Sequence, residues 1–142
     1  MLVLSRLKRP AVICWSFFIS LKLGFFMNII NLSDEEILEV ANPFWDDLVK
    51  YSNNKNYGAF TRNFSHDMKL AANEIEIGKQ FAKSELTKNL SKDREYLGMI
   101  RRGEHVTVLF KQTNLKKPGE WLGRLVLGLE NEEIKIFGAT LF

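Results

Sequence analysis

Apolar residues recur along this chain with two different periods, and the change between them divides the molecule. Ile37, Leu38, Ala41, Phe44, Trp45, Leu48 and Val49 follow one another at spacings of three and four, the stripe of an amphipathic helix. Ser33-Asp34-Glu35-Glu36 precedes the stripe as a capping box, with the Ser33 hydroxyl placed for the third helical amide and Glu36 reaching back. The pattern predicts a first helix from Asp34 to near Tyr51, kinked around Pro43, which has no amide to donate. Ser52-Asn53-Asn54 breaks it. Tyr57, Phe60 and Phe64, again three and four apart, predict a short second helix that runs into a polar turn at Ser65-His66-Asp67. Asn73, with Glu76 three residues on, opens a third helix whose Ile77, Phe81 and Leu86 face inward and which fades by Leu90.

After Ser91 the period shortens to two. "REYLGMIRR", "HVTVLFKQT", "EWLGRLVLGLE" and "EIKIFGATLF" read as four strands, separated by Gly103-Glu104, by Asn114 to Gly119 and by Asn131-Glu132. Joins this short make an antiparallel meander. Val106, Val108 and Phe110 share one face, yet Leu109 lies on the other and "LVLGL" is apolar throughout. A sheet that is apolar on both faces needs two covers, the helices on one side and a partner on the other, so a homodimer through the back of the sheet is expected. The fold class is therefore α+β, three N-terminal helices packed on a curved antiparallel sheet of four strands.

Composition narrows the function classes. A chain of 142 residues, 46% hydrophobic and 12% aromatic, suits one domain with one core. The formal net charge of +3 suggests nucleic acid until its location is checked. Residues 1–26 hold Arg6, Lys8, Arg9 and Lys22 and no acid; of 20 basic residues this leaves 16 against 17 acidic ones in residues 27–142, a net −1. The basicity belongs to the leader, and no nucleic-acid partner is expected. Cys14, the only cysteine, also lies there, so no disulfide forms within the chain. With only His66 and His105 besides, no metal or other cofactor is expected.

The chain divides into a leader, 1–26, and a domain, 27–142. The leader has a basic start and an apolar run, as a signal or anchor does, but Lys22 interrupts the run and no small-residue cleavage pattern precedes Met27. Translation starting at Met27 in a cytoplasmic protein is the preferred reading, with a membrane anchor or export signal as the alternative.

The order of elements, together with "NNKNYGAFTRNFSHDMK", "YLGMIRR" and "IKIFGATLF", resembles the nuclear transport factor 2-like superfamily, which includes ketosteroid isomerase, scytalone dehydratase and the SnoaL-type polyketide cyclases. The resemblance spans Asp34 to Phe142 and implies a cone-shaped α+β barrel, a central partly apolar pocket and commonly a homodimer. The acid and tyrosine of the isomerase have no counterpart here, nor have the paired histidines and aspartate of the dehydratase. It therefore implies a fold and no reaction.

His66 is the candidate catalytic base, since an imidazole at the mouth of an apolar cone can shuttle a proton. The plainer role is a turn in which Ser65 and Asp67 satisfy backbone amides. Trp45, Tyr57, Phe60, Phe64, Tyr96 and Trp121 are the candidate pocket lining for a small, partly apolar ligand, with ordinary core as the alternative for the first four. Tyr57 and Tyr96 would donate to a developing enolate oxygen if the protein were a cofactor-independent isomerase, cyclase or dehydratase. Arg102, Lys111 and Arg124 would meet a substrate carboxylate if they pointed inward, and Glu120 would act as an acid if buried; a solvated face is the preferred reading for all four. A noncatalytic binding or interaction domain is the preferred function.

Overall fold

The computed structural model describes residues 28–142, except for the side chains of Glu74 and Phe81; the leader, Cys14 and the start at Met27 lie outside the described residues. Asn28 caps a 3-10 turn, Ile29–Asn31, whose Ile29 is buried. Helix α1, Asp34–Asn53, begins with the complete capping box: Glu36 N donates to Ser33 Oγ at 3.1 Å and Ser33 N to Glu36 Oε1 at 2.9 Å. It runs through Pro43 without a break, burying Ile37, Ala41, Phe44, Trp45, Leu48 and Val49 as the stripe requires.

Beyond α1 the helical count differs from expectation. The segment 57–71 holds two short helices, α2 at Tyr57–Phe60 and α3 at His66–Ala71, so among the described residues the single short second helix expected there is divided in two. Each has its own cap, Asn56 Oδ1 accepting from Ala59 N and Ser65 Oγ from Met68 N. Between them the backbone is pulled straight: Ser65 N donates to Ile136 O at 2.8 Å and Ile136 N to Asn63 O at 2.8 Å, so Phe64 adds a parallel bridge to the last strand. His66 accordingly starts a helix instead of sitting in a turn.

Helix α4, Glu74–Lys83, starts at the Asn73 cap as expected but ends seven residues before Leu90. The chain from Leu86 onward is claimed by asparagines on other elements. Asn53 exchanges two bonds with the Leu90 backbone, at 2.8 and 3.0 Å, and Asn114 Nδ2 donates to Lys88 O at 2.6 Å. Leu90 is thereby the first residue of a strand. Ile77 is the buried apolar residue of α4 among the described side chains.

The four strands are β1 (Leu90–Arg102), β2 (His105–Asn114), β3 (Glu120–Glu130) and β4 (Glu133–Leu141), in the order β1-β2-β3-β4 and antiparallel throughout. The β1–β2 and β3–β4 joins are two-residue turns. Gly103 at φ +66°, and Asn131 and Glu132 at +54° and +66°, supply the left-handed backbone such turns demand. Register shifts at Tyr96/Gly98 and Val126/Leu127 put bulges into β1 and β4, which bend those strands.

One face of the sheet carries Val106, Val108, Phe110, Leu125, Leu127 and Ile136, all buried against α1, the 3-10 turn and α3. The opposite face, called the outer face below, has no helix of the described residues packed on it. No helix among the described residues is long and apolar enough to cross a membrane.

Candidate functional site

The inner side of the sheet is occupied by side chains. Trp45 of α1 is 4% exposed, its ring 5.2 Å from that of Phe110 and its Nε1 donating to Gln112 Oε1 at 2.8 Å. Gln112, fully buried, spends its amide on Ser91 O at 2.6 Å and Thr113 O at 3.0 Å, so every polar atom of that side chain is bonded. Opposite, Gly123 is bare because a methyl group there would lie 2.5 Å from the indole. This sequence lets a helix aromatic sit directly on the backbone of β3.

The other nominated aromatics are spread over the molecule. Phe64 is 2% exposed and meets Phe60 edge-on at 5.6 Å, beside β4. Tyr57 and Phe60 are half-buried against the core, and the Tyr57 ring lies over Gly78 of α4. Tyr96, on β1, packs edge-on to Phe110 at 6.5 Å and is 38% exposed. Partial burial raises its pKa, the Asp34 carboxylate adds to this and Arg101 opposes it, so its hydroxyl remains a neutral donor at physiological pH. Trp121 faces Gln112 from β3, half-buried, with its ring against Gly119.

His66 is exposed, and what it contributes by hydrogen bond is its backbone: its N–H donates to both carboxylate oxygens of Glu130, each at 3.1 Å. It borders an open groove of about 560 Å³ with Phe64, Lys69, Glu130 and Lys135. A smaller hollow of about 280 Å³ at the same end of the sheet is lined by Asn28, Glu104, His105, Leu129 and Phe137. His66 lies beyond β4 and Tyr96 lies on β1, with three strands between, roughly 19 Å across the sheet at ~4.8 Å per strand. The structure does not bring these two groups together.

What the structure assembles instead is the outer face. Its apolar members are Ile100, Leu109, Leu122, Val126 and Phe142, drawn from β1, β2, β3 and the residue that follows β4. Ile100 and Phe142 are 53% and 63% exposed, large values for such side chains on one sheet face. Phe142 is held there by a reciprocal backbone pair with Leu122, at 2.7 and 3.1 Å. Lys111 sits in the same face with Glu95 at 3.1 Å and Glu120 at 3.3 Å; hydrogen bonds to Glu95 and then Glu120 raise its pKa, keeping it charged. The alternation in β2 signalled a second apolar face in sequence. Phe142 belongs to this face through its backbone pair with Leu122, a contact between distant residues that no local pattern announces.

Comparison of the chain with family models, with curated proteins and with solved structures gives no match.

Proposed function

We propose that this protein is a noncatalytic interaction domain that joins a second copy of itself across the outer face of its sheet. One observation carries this: the exposed Ile100 and Phe142 share a face with the half-buried Leu109, Leu122 and Val126, with no helix of the described residues over them. Water against that much apolar surface is unfavourable by roughly 25 cal/mol per Å², and sheet-on-sheet packing is the arrangement that removes it.

The domain is assigned to the cone-shaped α+β folds of nuclear transport factor 2-like type. Helices first, then a four-stranded meander with bulges in β1 and β4, favour this assignment. Within it the inner side is the place for a small, partly apolar ligand, though Trp45, Phe110 and Gln112 leave the outer face as the better supported binding surface. An isomerase or dehydratase would need His66 and a tyrosine hydroxyl to converge on one point, and the separation of His66 from Tyr96 across the sheet favours the noncatalytic function.

The test is nuclear magnetic resonance of an equal mixture of labelled and unlabelled protein. Intermolecular contacts from Ile100, Leu122 and Phe142 are expected. Contacts confined to other surfaces would remove the outer face from the account.

A further inference from the structure

The outer face carries charge as well as apolar surface, and its charges are arranged in opposition. Along β3 the residues on this face are Glu120, Leu122, Arg124 and Val126, since they pair with Thr113, Lys111, Leu109 and Thr107 of β2. Lys111 lies between the carboxylates of Glu95 and Glu120, so this trio has a net charge of −1. Arg124 is exposed and makes no ion pair or side-chain hydrogen bond among the described residues. This face thus holds Arg124, without an ion pair among the described residues, and a trio of net charge −1 that includes Glu120; Arg124 and Glu120 are four residues apart on one regular strand, about 13 Å at ~3.3 Å per residue.

We infer that the partner copy packs with its β3 antiparallel to this one, about a two-fold axis that passes between the sheets and crosses β3 at Leu122, so that Arg124 of each copy meets the Glu120 side of the other. This inference rests on the proposed association through the outer face and specifies its register. A two-fold contact must be self-complementary, each residue i meeting j while j meets i. Placing the axis at Leu122 satisfies that rule twice over, because residues two before and two after Leu122 carry opposite charge. Packed sheets stand ~10 Å apart with strands within ~30° of alignment, a gap that an arginine and a glutamate pointing at each other can bridge. Leu122 and Phe142 then lie at the axis, where apolar side chains are best shielded, and Leu109 lies two residues from it beside Arg124. Lys111 and Glu95, level with Leu122, each face their own copy across the axis, and the ion pair between them at 3.1 Å offsets these two like-charge meetings. With the axis parallel to β3 instead, Arg124 would face Arg124 and Glu120 would face Glu120, so electrostatics selects the antiparallel arrangement.

The test uses the full chain with R124E and E120R, measured separately and as an equimolar mixture. Either variant alone turns both ion pairs of the dimer into like-charge contacts, and its dissociation constant is expected to rise at least about tenfold. In the mixture the R124E copy offers a carboxylate at both positions and the E120R copy a guanidinium at both. Every contact between unlike copies is then an opposite-charge pair again, and a one-to-one heterodimer is expected to form with affinity near that of the wild type. Both positions are exposed, and circular dichroism of each variant alone is expected to match the wild type. Variants that associate as tightly as the wild type, or a mixture no tighter than its components, would overturn the register while leaving the dimer standing. A wild-type protein that does not associate would overturn the proposed function beneath it.

Discussion

Replacing Trp45 with alanine is expected to lower the stability of the domain by about 3–5 kcal/mol, the usual range for removing a buried tryptophan. Two effects add. The indole fills the space between α1 and the sheet, touching Phe110 and lying on the bare backbone of Gly123, so its removal leaves a cavity that a rigid strand cannot close. It is also the donor to Gln112 Oε1 at a site with no exposure, so the acceptor is left without a partner. W45F separates the two, keeping much of the packing and losing the donor, at a cost of about 1–3 kcal/mol. Adding Q112L to W45F removes the stranded acceptor, although it also frees Ser91 O and Thr113 O, so partial recovery is expected. Denaturant unfolding of the three variants checks this. A loss below about 1 kcal/mol for W45A would mean that the tryptophan is not a structural member of the core.

The second large effect is expected at Leu122, and in association instead of folding. L122D should weaken the dimer by at least about 2 kcal/mol, close to a thirtyfold rise in dissociation constant. In the isolated chain the new carboxylate would lie beside Lys111, its cross-strand neighbour, in water, and the fold should survive with a loss of no more than about 1 kcal/mol from the poor strand preference of aspartate. In the dimer the same carboxylate faces its own copy with water excluded, and a buried like-charge pair is strongly unfavourable. Sedimentation velocity over a concentration series measures the shift. An unchanged dissociation constant would place the contact away from the centre of the face.

These two residues also mark how far the sequence could be read. The stripe containing Trp45 identified α1 and its buried side, because seven apolar positions with one period leave little freedom. Its partner Gln112 is 67 residues away, and nothing local distinguishes a glutamine that satisfies a tryptophan from one facing water. Strand limits were close for the same reason as the helix: the two-residue turns at Gly103-Glu104 and Asn131-Glu132 punctuate them. The short helices were harder. Tyr57, Phe60 and Phe64 have helical spacing, yet Phe64 pairs with β4, because a backbone bridge to Ile136 outweighs a preference spread over one turn. Leu90 belongs to β1 by virtue of Asn53, again a contact between distant residues. Charged residues on alternating strand positions could be placed on a face only once the register was known, which is why Arg124 and Glu120 read as an ordinary solvated pair.

Whether two copies join decides the function proposed for this domain. Sedimentation equilibrium of the full chain at micromolar concentration measures this directly. The expected result is a species of twice 16.5 kDa, in exchange with monomer at lower concentration. A single species of 16.5 kDa across the micromolar range would contradict it.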